Sequence, residues 1–161
     1  GTVSLTDSVL KIGKASSRVR GMELASISGG AKNDRIDVTR FSGKTKLFGG
    51  AGDDELLGGR ADDVIDGGAG NDLINGGDGA DVINGRGGDD VVIGGKGNDR
   101  IRGGAGRDIL MAGLGDDNVN GQGGDDKIAG GPGKNRIIGL EKEIDEAFKL
   151  SDDLLVKLDL V

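Results

Sequence analysis

Gly67-Gly68-Ala69-Gly70-Asn71-Asp72-Leu73-Ile74-Asn75 is one of ten consecutive nine-residue units, and its pattern decides how this chain folds. The units begin at Gly49, Gly58, Gly67, Gly76, Gly85, Gly94, Gly103, Ala112, Gly121 and Gly130, and the tenth ends at Ile138. Each approximates Gly-Gly-x-Gly-(Asp/Asn)-Asp-x-aliphatic-x. The sixth position is Asp54, Asp63, Asp72, Asp81, Asp90, Asp99, Asp108, Asp117 and Asp126, and only the tenth unit departs, with Asn135. The eighth position is aliphatic throughout: Leu56, Ile65, Ile74, Ile83, Val92, Ile101, Leu110, Val119, Ile128 and Ile137.

Glycines ahead of a β-favouring aliphatic permit a tight loop with positive φ, followed by a very short strand. With one inward side chain in nine residues, each unit suits half a turn of a solenoid, and alternate units then stack one strand spacing apart, about 4.8 Å. The aspartates fall into two columns. Asp54, Asp72, Asp90, Asp108 and Asp126 form one; Asp63, Asp81, Asp99 and Asp117, closed by Asn135, form the other. Stacked carboxylates repel, and one buried aliphatic per unit cannot offset the entropy of ordering nine backbones. The repeats alone are therefore expected to be disordered, and a divalent cation between stacked loops to order them by neutralising carboxylates and satisfying carbonyls.

Composition narrows the choice of cation. The chain of 161 residues is 34% hydrophobic with three aromatic residues, Phe41, Phe48 and Phe148, too little for a conventional core. It has no cysteine and no histidine, which removes disulfides, soft-metal ligands and the commonest general base. Carboxylates and carbonyls remain, and these hard oxygen ligands suit Ca²⁺. Residues 1–48 carry a net +5, residues 49–138 a net −8 and residues 139–161 a net −4, so the acidity lies where the repeats are and argues against nucleic acid as a partner. No stretch approaches a membrane span, and no signal peptide is recognisable. Paired carboxylates such as Asp53-Asp54 and Asp116-Asp117 recur at fixed repeat positions, which reads as ligand plus solvated neighbour rather than acid-base catalysis. Gly43-Lys44-Thr45 lacks the upstream glycine of a phosphate loop and reads as a surface turn. No enzyme activity is expected.

The ten units resemble the RTX (repeats-in-toxin, haemolysin-type) calcium-binding nonapeptide, a repeat whose signature is Gly-Gly-x-Gly-x-Asp-x-aliphatic-x. The resemblance implies an all-β fold, a right-handed parallel β-roll, with each Ca²⁺ held between loops of alternate repeats. It implies a ligand set of three kinds. The first is the sixth-position carboxylates. The second is carbonyls of the second and fourth residues, Gly50, Gly52, Gly59, Gly68, Gly70, Gly77, Gly79, Gly88, Gly95, Gly97, Gly104 and Gly106. The third is odd-position carbonyls of the stacked neighbour: Gly67, Ala69, Asn71, Gly76, Asp78, Ala80, Gly85, Gly87, Asp89, Gly94, Lys96, Asn98, Gly103, Ala105, Arg107, Ala112, Leu114, Asp116, Gly121, Gly123 and Asp125. Carried over, seven pairs form full sites: Asp54/Asp72, Asp72/Asp90, Asp90/Asp108, Asp108/Asp126, Asp63/Asp81, Asp81/Asp99 and Asp99/Asp117. Asn135 weakens a further site with Asp117. Ala61 replaces a fourth-position glycine, and Arg86 and Gln122 replace second-position glycines.

Three domains are expected: irregular turns or a cap over residues 1–48, the Ca²⁺-binding roll over 49–138, and a C-terminal cap over 139–161. The first contains a degenerate unit, Gly29-Gly30-Ala31-Lys32-Asn33-Asp34-Arg35-Ile36-Asp37, and an eleven-residue stretch, Val38 to Phe48, that would let Asp34 stack on Asp54 and extend a column, with Gly30 beside it. Val3 to Leu5, Val9 to Ile12 and Leu24 to Ser28 read as strands, and Ser16 to Gly21 as a loop. Leu140, Ile144 and Phe148 have the spacing of a short amphipathic helix.

The outward seventh and ninth positions of one column's strands include Leu57, Leu73, Val91, Ile93, Ile109 and Met111, whereas the other sheet shows Asp66, Asn84, Arg100, Arg102, Asn118 and Asn120 there. That apolar face is expected to be covered by the C-terminal segment or by another subunit or protein. The expected role is a Ca²⁺-dependent folding and stability module of a secreted or cell-surface bacterial protein. The resemblance implies type I export, to which the C-terminal Asp159-Leu160-Val161 conforms. Its alternatives are an adhesive or surface-layer segment, or an accessory domain of a secreted hydrolase or epimerase.

Overall fold

The computed structural model describes residues 1–6, 9–12, 15–18, 23–138 and 142–143, with side chains described in 1–6 and 23–138. Among them there is no helix, and the strands form two sheets. Through the repeats the strands are β7 (Glu55–Leu57), β8 (Val64–Ala69), β9 (Leu73–Asp78), β10 (Val82–Gly87), β11 (Val91–Lys96), β12 (Arg100–Ala105), β13 (Ile109–Leu114), β14 (Asn118–Gly123), β15 (Lys127–Ala129) and β16 (Arg136–Ile138). They alternate between the sheets, because each nine-residue unit is one half-turn. Within a sheet all of them run parallel, with Ile83 beside Ile65 and Ile101, and Val92 beside Ile74 and Leu110. The expected β-roll and its two columns follow from this register.

The strands are longer than the sequence suggests. Most continue through the first three positions of the next unit, so β8 includes Gly67, Gly68 and Ala69. The side-chain period of two then turns the first-position glycine inward as well as the eighth-position aliphatic. The core is a double row of aliphatics, Leu56, Ile74, Val92, Leu110 and Ile128 facing Leu47, Ile65, Ile83, Ile101 and Val119, all fully buried. Ile83→Ala removes the middle of one row and is expected to cost about 2–5 kcal/mol, read as a lowered denaturation midpoint of the folded chain.

Before the repeats, β4 (Leu24–Gly30), β5 (Arg35–Arg40) and β6 (Lys44–Ala51) form further parallel rungs. Asp34 stacks on Asp54 at a spacing of 20 residues because the half-turn between them is eleven residues long. In that half-turn Phe41 is buried, its N–H bonded to the Val38 carbonyl. A methyl group on Gly43 would meet the Phe41 ring at 2.7 Å, which explains the glycine.

The N-terminal expectation is corrected in part. β1 (Thr2–Thr6) is a parallel rung on β5, but β2 (Val9–Ile12) and β3 (Ala15–Arg18) turn back antiparallel. Two residues separate β1 from β2, too few for a parallel crossover, so the chain must reverse. Ser16 to Arg18, expected in a loop, are therefore strand; the rest of that loop lies outside the described residues. At the other end, β17 (Lys142–Glu143) pairs with β15, where an amphipathic helix was expected. The unpaired edge of β15 offers these two residues a ladder, which overrides a weak helix preference. The remainder of that expected helix lies outside the described residues. The complete sheet orders are β17-β15-β13-β11-β9-β7-β5-β1-β2-β3 and β16-β14-β12-β10-β8-β6-β4.

Candidate metal centre

Each loop occupies roughly positions four to six of its unit, and stacking draws equivalent atoms of successive loops together. The nine repeat aspartates from Asp54 to Asp126 are all buried. The sixth-position N–H groups from Asp54 to Asp108 donate to Oδ1 of the aspartate one turn on: Asp54 to Asp72 at 2.8 Å, Asp72 to Asp90 at 2.8 Å, Asp63 to Asp81 at 2.7 Å and Asp81 to Asp99 at 2.9 Å. Asp90, Asp99 and Asp108 continue the pattern, and Asn135 Oδ1 accepts from Asp117 at 3.0 Å. Oδ1 thus serves the backbone.

Oδ2 does not. In Asp54, Asp72, Asp81, Asp90, Asp99, Asp108 and Asp117 this oxygen is buried without a hydrogen-bond partner. A lone buried carboxylate oxygen is costly unless a cation meets it. Beside it lies a carbonyl of the next turn. A methyl group on Gly67 would stand 2.4 Å from Asp72 Oδ2 and 2.8 Å from the Gly85 carbonyl; on Gly76, 2.4 Å from Asp81 Oδ2 and 2.5 Å from the Gly94 carbonyl. The same cradle recurs at Gly49 with Asp54 and Gly67, Gly85 with Asp90 and Gly103, Gly94 with Asp99 and Ala112, and Gly103 with Asp108 and Gly121. Side-chain and main-chain oxygens of stacked loops therefore share one space beside a glycine Cα. This set fits a hard divalent cation. Among the described residues no three carboxylates gather at one point.

Burial pushes the carboxyls up: Asp81 to about 8, Asp90 to about 7, and Asp72, Asp99 and Asp108 to about 6. Loss of water is the largest cause; repulsion from stacked neighbours, Asp99 and Asp63 around Asp81, adds to it, while the backbone N–H opposes it. Asp54, Asp63 and Asp117 are raised for the same first reason.

Second- and fourth-position residues take left-handed φ in nine units, which swings their carbonyls out of the ladder. Gly97 shows why glycine is needed: its φ is 128°, and a Cβ there would lie 1.9 Å from the Gly79 carbonyl oxygen. Arg86 and Gln122 nevertheless hold φ of 88° and 73°. Arg86 is tied down by its guanidinium, which donates to both carboxylate oxygens of Asp66. Several third-position carbonyls expected as ligands also accept hydrogen bonds: Ala69, Gly87, Lys96, Ala105, Leu114 and Gly123 each take the N–H of the fourth-position glycine one turn earlier. A carbonyl's second lone pair stays available.

The second unit differs. Neither Gly59 nor Ala61 is left-handed, and the Gly59 N–H donates to Asp63 Oδ2 at 2.7 Å. Alanine at the fourth position resists the glycine conformation, and this loop rests on the irregular half-turn, where a Cβ on Gly59 would meet the Phe41 carbonyl at 2.7 Å. The loop closes on its own aspartate. At the same N-terminal end, in the other column, the carboxylate of Asp34 pairs with the Gly1 ammonium, and Gly30 has a φ of 158°.

A second ladder went unread in the sequence. Fifth-position side chains accept the N–H of the fifth residue one turn on: Asn33 from Asp53, Asp53 from Asn71, Asn71 from Asp89 and Asp89 from Arg107. In the other column Asp62 accepts from Ala80, Asn98 from Asp116 and Asp116 from Lys134. These residues clamp successive loops from the solvent side. Asp or Asn recurring every 18 residues was the available signal.

The repeats are similar to a known family. The model described as RTX calcium-binding nonapeptide repeat (four copies) matches residues 48–83, 66–101, 75–110, 84–119 and 111–141. A search of curated proteins gives no match.

Proposed function

Because this chain belongs to the family of RTX calcium-binding nonapeptide repeats, whose β-roll binds Ca²⁺, we propose that its roll is a noncatalytic folding module switched on by about seven of these ions. The observation that carries the proposal is the set of seven buried Oδ2 atoms without a hydrogen-bond partner. One ion would lie in each stacked pair, Asp54/Asp72, Asp72/Asp90, Asp90/Asp108 and Asp108/Asp126 in one column and Asp63/Asp81, Asp81/Asp99 and Asp99/Asp117 in the other. Asp63 is the weakest candidate, since its Oδ2 already has the Gly59 N–H.

Bound Ca²⁺ supplies two positive charges and six to eight oxygen positions. Around it the chain's own residues set the geometry: left-handed glycines aim carbonyls, Oδ1 spaces the loops, and the fifth-position ladder holds them in register. Such a module serves a secreted or surface protein, because it would remain unfolded where Ca²⁺ is scarce and fold where it is plentiful. Isothermal titration of the chelator-treated chain with Ca²⁺ is expected to give close to seven ions with a concurrent gain of β circular dichroism. Saturation at one or two ions would defeat the column reading.

A further inference from the structure

Leu57 is 0% exposed and Ile93 6%, although both stand at the ninth position, on the outward face of the ten-stranded sheet. They belong to a hydrophobic cluster separate from the core between the sheets, with Leu73, Val91 and Met111 packed against it. Neighbouring strands shield a side chain from its flanks and leave its tip open. The other sheet shows this: on its outward face Phe48 is 38% exposed, and Val64 and Ile138 36% each. Leu57 has only Asp37 and Asn75 opposite it on the adjoining strands, yet no part of it meets solvent. At Leu57 and Ile93 the stripe is shielded from above, while Leu73, Val91 and Met111 are partly buried.

The chain's own course identifies the cover. β17 joins the edge of this same sheet, and eighteen residues follow Glu143, among them Ile144, Phe148, Leu154, Leu155 and Leu158. From β17 to β7 is five strand spacings, about 24 Å. Eighteen residues span that distance even at helical rise, about 27 Å. The apolar stripe also ends in charge, at Arg35, Asp37 and Glu55 on one side and Lys127 on the other, so the cover has a bounded seat. We propose that residues 144–161 dock on the outward face of the ten-stranded sheet and seal Leu57, Leu73, Val91, Ile93 and Met111, making the roll's apolar side an intramolecular interface.

The chain has no cysteine, so single introduced thiols report the cover directly. In the Ca²⁺-loaded chain of 161 residues, Ile93→Cys is expected to react with a maleimide probe at least tenfold more slowly than Val64→Cys. Phe148→Asp combined with Leu154→Asp should abolish that protection, and dilution should leave it unchanged. Met111→Cys serves as the reporter should Ile93→Cys not fold. Equal rates at the two positions, or protection that survives the Phe148/Leu154 substitutions, would overturn the proposal; protection lost on dilution would overturn it in favour of a second copy. The inference rests on a Ca²⁺-folded roll. Circular dichroism of each variant separates failure of that reading, with no β signal, from failure of this one, with a β signal and an open stripe.

Discussion

Excess chelator at pH 8 is expected to abolish the β signal of the roll, and millimolar Ca²⁺ to restore it. The buried carboxylates make this the largest effect available. Asp81 is raised to about 8 and Asp90 to about 7, so at pH 8 a metal-free roll must hold charges out of water or keep protons that bulk solution would remove. The pH dependence has a definite sign. These carboxyls have folded values above the ordinary value of 3.8, so from about pH 4 to 8 the folded metal-free chain binds more protons than the unfolded chain. Their contribution to its stability is greatest below that window and is lost as pH rises through it. Acidifying the chelated chain from pH 8 to 5 should therefore recover part of the β signal. With Ca²⁺ present the proton competes for the same oxygens, and the Ca²⁺ midpoint should move to higher concentration at pH 6 than at pH 8. A chelated chain with its full β signal at pH 8 would refute metal-dependent folding.

Asp90→Ala is expected to remove two ions and Asp126→Ala one. Asp90 stands mid-column, between Asp72 and Asp108, and takes part in two stacked pairs; Asp126 is last in its column and takes part in one. At free Ca²⁺ a hundredfold above Kd each site contributes about 2.7 kcal/mol, so losing two costs about 5 kcal/mol. The substitution also leaves the Asp72 N–H without its acceptor. Asp90→Asn separates the two effects, because an amide oxygen can accept that bond, as Asn135 does for Asp117. It should keep more stability than alanine while still lowering the stoichiometry. Calorimetric ion counts and denaturation midpoints of the three variants provide the check. Equal losses for Asp90→Ala and Asp126→Ala would mean that the sites are not shared along a column.

Much of this molecule was legible as residues. An unbroken period of nine with one aliphatic per unit leaves a single register in which every Ile, Leu and Val at position eight is buried, so the parallel pairing of Ile65, Ile83 and Ile101 followed directly. The aspartate columns followed from the same arithmetic, as did the stacking of Asp34 on Asp54. Periodicity is a local property that long-range contacts merely repeat.

Other features depend on what each loop rests upon. Asp63 has the same sequence position as Asp81, but its loop sits on the Phe41 half-turn rather than on another repeat, and it closes on the Gly59 N–H. β2 and β15 carry no mark that one reverses direction and the other recruits Lys142 and Glu143; unpaired edges and short connections decide that. Leu57 and Val64 are both aliphatics beside an inward residue, yet one is fully buried and the other exposed. The sequence by itself determined the roll, its pairing and its aspartate columns, since these repeat from unit to unit. Only the tertiary structure decided which carboxylate oxygens lack partners and which face meets water, since burial belongs to what is stacked above and below a residue rather than to the residue.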